Sequence, residues 1–289
     1  MNELARGLKT SRTMTVGVLI PSFENIFFTS IVSNIENILL QEGYSTIVCD
    51  YKENPQMELE KLRFLLNKMV DGIVIMPHTD DDNILDEMAS KDIPVVLIDR
   101  VIKNGNCDVV LVDNLNASYN AVEQLIVRGH QRIGIIVGPQ EIYTAQERLK
   151  GYIRVHEDYS LEVDPQLIKY GDYKIQSGFD LFQELLRIEQ PPTAIYVTNY
   201  EMTLGSVIAI NENNIKIPDD VSLIGFDNLE LARAVKPSLS IVVQPVQQIG
   251  ETAAQVLLKR LKGEQNGFSS ISRLKTELLI RDSVKNLTD

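Results

Sequence analysis

The feature that most constrains the fold is a repeated alternation of short apolar runs with amphipathic segments. The first runs are rich in β-branched residues and too short for helices, and they occupy residues 16–20, 47–49, 72–76, 95–98 and 109–112. Because polar residues do not alternate within them, both faces of the resulting sheet should be covered. The pattern therefore predicts a parallel α/β sheet with helices on both faces.

The segment after the first run has the spacing of a helix with one apolar face. Its apolar residues recur every three or four positions and precede Gly43, a residue that commonly ends a helix; they are Phe28, Ile31, Ile35, Ile38 and Leu39. This spacing predicts a strand followed by a helix at the start of the chain.

The same alternation starts again in the second half of the chain. Predicted strands lie at residues 133–137, 167–170, 194–197, 223–226 and 240–243, with helices near 145–156 and 178–187 and a long one through 249–261. The pattern predicts two doubly wound halves. Their openings at 17–21 and 134–139 are alike, but any buried strand that enters a turn can look like this, so internal duplication stays open.

Composition limits the partners of the chain. At 289 residues it approaches the size at which one core divides into two, which is roughly 250 to 300 residues. Its 40 acidic and 28 basic side chains give a net charge of −12, the opposite of what binding to phosphate backbones requires. We expect most of the surface to face something other than nucleic acid.

The cysteines and the apolar segments predict a cytoplasmic protein. Cys49 and Cys107 lack the dense spacing of a disulfide scaffold, so reduced thiols are expected. No charged leader with an apolar stretch opens the sequence, and no run approaches the ~20 apolar residues that span a bilayer. Neither export nor a membrane partner is expected.

Signatures of catalysis are missing from the sequence. It contains no Gly-x-Ser-x-Gly elbow, no phosphate-binding loop and no dinucleotide-binding glycine motif after the first strand. His78, His130 and His156 are not spaced as metal ligands, and His130 is better explained as a polar residue in a turn between a helix and a strand. We expect no metal, no cofactor and no enzymatic activity.

An ordered series of motifs resembles the lactose/galactose-repressor family and its relatives, the periplasmic sugar-binding proteins, over essentially the whole chain. The motifs are TVGVLIP (15–21), NIFF (25–28), VDGIVIMP (70–77), IPVVLIDR (93–100), VDN (112–114), RGHQRI (128–133), ERLKGY (147–152), GDY (171–173), PTAI (192–195), IPDDVS (217–222), IGFDN (224–228) and QP (244–245). The family usually has proline at the position of Ile26.

The resemblance implies a type I periplasmic-binding-protein fold. This fold has two doubly wound, Rossmann-like parallel-sheet lobes joined by a multi-strand hinge. We expect a linker at residues 1–13, an N-terminal lobe at 14–115 plus 245–263, and a C-terminal lobe at 116–244 plus 264–289.

The resemblance also assigns a role to the first residues, which are similar to the hinge helix of the repressors. By that similarity Leu8 would enter the DNA minor groove, beside Ala5, Arg6 and Lys9, while the alternative is a frayed terminus. We expect the helix-turn-helix headpiece to be absent, so that only the full-length protein binds operator DNA. A homodimer is implied, because repressors read two half-sites.

The resemblance further implies a sugar site built from nine residues. Phe28 and Tyr173 would stack on the sugar ring from opposite lobes, and polar groups would bind its hydroxyls, namely Asn25, Asp99, Arg100, Arg148, Asn199, Asp227 and Gln244. All nine follow predicted strand ends, where α/β sheets bind ligands.

These site residues also have structural alternatives. Phe28 could be core, Asp99 could cap a turn with Arg100 paired to it across the lobes, and Arg148 could be a solvated surface charge. Ile142 stands where purine-binding relatives have a second arginine, and Tyr200 where an aspartate is usual, so a purine is disfavoured.

The sequence thus predicts a sensor in which a small-molecule effector, a sugar, closes two lobes and alters DNA affinity. Within the family, a phosphoprotein corepressor is an alternative partner. The alternative from another class is a cytoplasmic sugar-modifying enzyme that uses Asp99 or Asp227 as a base.

Overall fold

A computed structural model describes residues 12–78, 83–102, 105–227, 229–264 and 267–288. The residues assigned to DNA contact, Ala5, Arg6, Leu8 and Lys9, lie outside this part of the chain. Up to residue 126, the elements follow one another in the order β1 (Thr15–Ile20), α1 (Ile26–Gln41), β2 (Ser45–Asp50), α2 (Pro55–Asn67), β3 (Gly72–Ile75), α3 (Asn83–Ala89), β4 (Val95–Ile98), β5 (Asp108–Val112) and α4 (Asn114–Ile126). They continue with β6 (Ile133–Val137), α5 (Tyr143–Asp158), β7 (Ile168–Tyr170), α6 (Ile175–Arg187), β8 (Ala194–Val197), α7 (Tyr200–Glu212), β9 (Ser222–Phe226), α8 (Leu229–Ala234) and β10 (Ser240–Val243). The last elements are α9 (Val246–Leu261), β11 (Ile271–Leu274) and β12 (Glu277–Leu279).

The chain forms two compact units. The first contains the described residues up to Val112 together with Pro245–Leu274, and the second contains Asp113–Gln244 and the described residues from Lys275 onward. The sequence-based division placed all of residues 264–289 in the second lobe. The structure differs because β11 pairs in parallel with β5, which places the segment up to Leu274 in the first unit.

The first unit is a parallel sheet with strand order β11-β5-β4-β3-β1-β2. Strands β3, β4 and β5 are buried at every position, as their uninterrupted apolar sequence predicts. One face is covered by α1 and α9, whose buried side chains share a single core with the strands. Gly250 allows these helices to approach closely, since a Cβ there would lie 2.8 Å from the carbonyl oxygen of Ile31.

The helix predicted ahead of Gly43 is confirmed as α1. The Asn25 side chain accepts a hydrogen bond from the Phe27 amide and caps its first turn. Gly43, with φ of 80°, follows its end in the left-handed conformation that glycine adopts without strain. The capping residue and the glycine therefore fix both ends of the helix.

The second unit repeats the winding of the first, with strand order β12-β10-β9-β8-β6-β7. Replacing β1–β5 by β6–β10 converts one order into the other, and β12 occupies the place of β11. The two edge strands differ, because β12 runs antiparallel to β10 while β11 runs parallel to β5. The predicted class of two doubly wound α/β halves is confirmed.

Two apolar clusters lie in the second unit. The first includes residues of α4 and α5, and the second includes residues of α6 and α7. Aromatic side chains fill much of both, with Tyr152, Tyr196, Phe182 and Phe226 fully buried. Among the helices that the structure describes, none combines the length and apolar character needed to cross a membrane.

Candidate functional site

In the first unit, predicted site residues lie where β1 and β4 end. Asp99 directly follows β4 with φ of 66°, and its amide donates to the carbonyl of Val110 at 3.0 Å. Asn25 follows β1, and its side-chain oxygen lies 2.8 Å from the amide nitrogen of Phe27. The side-chain oxygen Oδ1 of Asn25 therefore already has a structural role as the cap of α1.

Arg100 is a buried cation at this sheet edge. Its Nη1 donates to the Pro77 carbonyl at 3.3 Å, and its Nε lies 3.7 Å from Asp99 Oδ2. Glu53 approaches from the end of β2, with Oε2 3.8 Å from Nη1. Arg100 thus pairs with Asp99 within one unit, and the structural alternative of pairing across the lobes is wrong because both residues follow β4.

Phe28 is a core residue of the first unit. Its side chain is 7% exposed and belongs to the cluster formed by the sheet, α1 and α9. The Phe27 ring packs edge-on against it, with 5.4 Å between ring centroids. These contacts support the packing alternative for Phe28.

In the second unit, Arg148 lies in the second turn of α5 and is only 4% exposed. Its Nε donates to Asn114 Oδ1 at 2.8 Å, and its Nη1 donates to the Thr198 carbonyl at 2.5 Å. The guanidinium carbon lies 3.9 Å from the centroid of the Phe226 ring. The alternative that Arg148 is a solvated surface charge is therefore wrong.

Asp227 and Gln244 form a pair where β9 and β10 end. Gln244 Nε2 donates to Asp227 Oδ1 at 2.9 Å. Asp227 has φ of 60° and its amide donates to Val242 at 2.8 Å, which holds the residue at the sheet edge. Gln244 is 4% exposed, and its Oε1 accepts no hydrogen bond from the residues that the structure describes. A buried acceptor of this kind is costly unless a ligand or water satisfies it.

Asn199 caps α7. Its Oδ1 accepts from the Met202 amide at 3.1 Å, and its Nδ2 donates to Glu201 Oε2 at 2.7 Å. The oxygen and the nitrogen of the Asn199 side chain both have protein partners, so a ligand hydroxyl would have to share or replace one of these hydrogen bonds.

Tyr173 is a half-buried aromatic residue that follows β7 with φ of 63°. Its ring lies against Gly138, which follows β6, and a Cβ at Gly138 would be 2.1 Å from Tyr173 Cζ. Residue 138 leaves room for this ring because glycine has no side chain. Tyr173 is thus placed by a close approach between two strand ends.

The sequence did not identify the partners of Arg148 or the neighbour of Arg100. Asn114, Thr198, Phe226 and Glu53 all lie at or just beyond strand ends, as the predicted site residues do. Their position at strand ends could therefore have identified them as candidate site residues. Which of them would contact a buried arginine depends on side-chain packing and cannot be read from spacing.

The cysteines and His130 have environments that suit structural roles. Burial raises the pKa of Cys107 to about 11, with Asp108 adding to the effect, and burial also raises the pKa of Cys49. His130 pairs with Thr193 Oγ1 at 2.9 Å and with the Lys285 carbonyl at 3.1 Å, in the predicted turn before β6. In the described ranges, no three His, Cys, Asp or Glu side chains could together hold a metal ion.

A family model for the periplasmic binding proteins and sugar binding domain of the LacI family matches residues 13–278. The chain belongs to the LacI family. Its relatives include catabolite control protein A of Priestia megaterium, which is 35% identical over 285 residues, an alignment that covers 98% of this chain and 86% of the relative. The transcriptional repressor PurR of Photobacterium profundum is 32% identical over 287 residues, covering 99% of this chain and 86% of its own.

Solved structures of LacI-family regulators have the same fold. A regulator from Enterococcus faecium with bound ribose superposes with a TM-score of 0.85 at 27% identity, covering 94% of this chain and 99% of its own. The regulator CelR in complex with cellobiose has a TM-score of 0.86 at 25% identity, covering 97% and 89%. The predicted resemblance is confirmed, and the chain is the ligand-binding domain of a LacI-family transcriptional regulator.

Proposed function

We propose that this LacI-family domain binds a small neutral sugar through polar groups that lie at the carboxyl ends of its strands. The observation that carries the proposal is the Asp227–Gln244 pair, in which a buried amide oxygen accepts no hydrogen bond from the described residues. Arg148 lies on the neighbouring Phe226 ring and adds a fixed guanidinium. Sugar hydroxyls both donate and accept, so they match this mixture of groups.

The relatives support a sugar as the effector class. One regulator of this fold was solved with ribose and another with cellobiose. A purine is less suitable, because Ile142, which stands where purine-binding relatives have an arginine, is 4% exposed and offers no polar group. A purine is therefore the competing ligand to test.

Sugar binding would act on DNA through differential affinity. A ligand shifts the regulator only as far as it binds one conformation more tightly than another. We propose that the sugar controls operator binding by the complete protein, which works as a cytoplasmic homodimer without catalysis. The PurR relatives, which are named as transcriptional repressors, support this role.

A thermal-shift screen of neutral sugars beside purines tests the ligand class. A ligand at about a hundred times its dissociation constant should stabilise the protein by about 2.7 kcal/mol, which raises the melting temperature by several degrees. We expect at least one sugar and no purine to do so. A shift with a purine and with no sugar would contradict the proposal.

Two further measurements test the proposed dimer and the proposed lack of catalysis. Sedimentation at micromolar concentration should give a dimer, and a monomer alone would contradict the assembly. Mass analysis of the bound sugar after prolonged incubation should find it unchanged. A change in its mass would favour the alternative of an enzyme that uses Asp99 or Asp227 as a base.

A further inference from the structure

Glu53 places a carboxylate beside the buried Arg100 at the carboxyl edge of the first sheet. Glu53 Oε2 lies 3.8 Å from Arg100 Nη1 and 3.3 Å from His78 Nδ1. The Arg100 side chain is 6% exposed, whereas that of Glu53 is 45% exposed. Glu53 thus presents one side of its carboxylate to protein groups and the other to solvent.

The backbone around Glu53 is held in an unfavourable conformation. Lys52 and Glu53 both have φ of 52°, in the left-handed region that side chains other than glycine and asparagine seldom adopt. The Glu53 amide donates to the Pro21 carbonyl at 3.1 Å, and the Asn54 amide to Tyr51 at 2.9 Å. Such strain is tolerated where surrounding contacts impose it, and it often accompanies a functional position. Here it places the carboxylate next to Arg100.

The charged groups that contact Arg100 and His78 carry a negative balance. They include three carboxylates, from Glu53, Asp99 and the buried Glu58, whose Oε1 accepts from the His78 amide at 2.9 Å. Arg100 is the guanidinium that faces Glu53 and Asp99, and His78 adds a positive charge only when protonated. An anionic group that approached Arg100 would therefore meet two carboxylates within 4 Å of that guanidinium.

We propose that Glu53 is a specificity-determining residue that makes this sheet edge reject anionic effectors, such as sugar phosphates and sugar acids, in favour of neutral polyols. The inference rests on the proposed function, which places the effector at this edge. A neutral hydroxyl can donate to Glu53 while accepting from Arg100, but the negative charge of a phosphate at the same place is repelled by the carboxylate. Removing the charge at residue 53 should therefore reduce the preference of this sheet edge for neutral polyols over anionic effectors.

The test compares the full chain with Glu53→Gln and with Glu42→Gln as a matched control. Glu42 is 43% exposed and pairs with Lys262, so its replacement removes the same charge at a similar exposure from the other end of α1. The probes are D-ribose 5-phosphate and inorganic phosphate, each measured by calorimetry against sodium chloride at equal ionic strength. Glu53→Asn serves as a second variant, because asparagine tolerates the left-handed conformation better than glutamine does.

We expect Glu53→Gln and Glu53→Asn to bind the anionic probes about three- to tenfold more tightly than the unmodified chain, an effect limited by solvent screening. Glu42→Gln should behave like the unmodified chain. Equal anion affinity in all four proteins, no detectable anion binding by the Glu53 variants, or an equal gain in Glu42→Gln would overturn the inference. The panel of neutral sugars from the thermal-shift screen, which includes D-ribose and cellobiose, is measured in parallel and reports on the proposed function alone, so the two failures are distinguishable.

Discussion

Asp99 and Asp227 occupy corresponding positions in the two sheets. Each directly follows a strand, β4 or β9, that has the same place in the strand order. Both have left-handed backbones, with φ of 66° and 60°, and both donate an amide hydrogen bond to the next strand, at Val110 and Val242. The repeat of the fold therefore extends to the carboxylates at the sheet edges. Their side chains differ in partner, since Asp99 faces Arg100 and Asp227 accepts from Gln244.

Replacing Asp227 should weaken sugar binding while the fold survives. Loss of a charged hydrogen-bond partner costs about 1.5 to 3 kcal/mol, so Asp227→Ala should raise the dissociation constant roughly tenfold to a few hundredfold. Asp227→Asn retains a side chain that tolerates the left-handed backbone and isolates the effect of charge. Calorimetry with the sugar found by the screen measures both variants.

The control for Asp227 is Asp219→Asn in the same unit. Asp219 is 70% exposed and pairs with Lys285 at 3.2 Å, so its loss should leave affinity unchanged. If Asp227→Ala binds the sugar as tightly as the control does, Asp227 is not a ligand contact.

Arg148→Met should destabilise the second unit even without ligand. The change leaves the buried Asn114 oxygen and the Thr198 carbonyl without the donors that they now have. We expect a loss of about 3 kcal/mol in the free energy of unfolding, measured by urea denaturation. Arg154→Met is the control, because Arg154 lies on the same helix with a side chain 61% exposed. Equal stability of the two variants would mean that the buried contacts of Arg148 contribute little.

Gly138→Ala should displace the Tyr173 ring. The added methyl group would overlap the ring, and overpacking of this kind costs about 1 to 3 kcal/mol. The double variant with Tyr173→Ala should recover most of the stability lost through the overlap, which a double-mutant cycle measures. Strictly additive losses would show that the methyl group collides with something other than Tyr173.

The stability of the second unit should fall as the pH is lowered towards 5. Burial lowers the pKa values of His130 and His156, so the unfolded chain binds protons more readily than the folded one. The histidine contribution is complete above the unfolded pKa of about 6.5 and is lost as the pH falls through that value towards the folded pKa. Urea denaturation between pH 8 and pH 5 measures the slope. The prediction would be contradicted if the free energy of unfolding did not change with pH. It would also be contradicted if His156→Gln showed the same slope as the unmodified chain.

The sequence predicted the fold better than it predicted the edges of the sheets. Buried parallel strands such as β4 and β9 are uninterrupted apolar runs, which are visible in a sequence. Strands β11 and β12 were missed as separate elements because their residues are exposed or half-buried and show no such run. Their placement depends on pairing with strands distant in the sequence.

The placement of the candidate residues in the fold was predictable, but their contacts were not. The sequence placed Arg148 and Asp227 beyond strand ends, and in the structure Asp227 directly follows β9 while Arg148 contacts Thr198 directly after β8. However, an asparagine that caps a helix and one that binds a ligand both precede a helix, so Asn25 and Asn199 could not be distinguished from the sequence. The burial of Phe28 likewise depends on α9, which comes from the far end of the chain.

The discontinuity of the first unit has a consequence for its synthesis on the ribosome. Helix α9 contributes Ile249, Ala253 and Leu257 to the core that it shares with β3, β4 and β5. Arg260, on the same helix, donates hydrogen bonds to both carboxylate oxygens of Asp108 at the start of β5. When β5 leaves the exit tunnel, these residues have not been translated, and residues 113–244 of the second unit must be made before they emerge. The first sheet therefore waits without α9 on one face, while the second unit assembles all of its sheet except β12. Nascent chains stalled when Gln244 has just left the exit tunnel should show protease protection of residues 113–244 and not of the first unit.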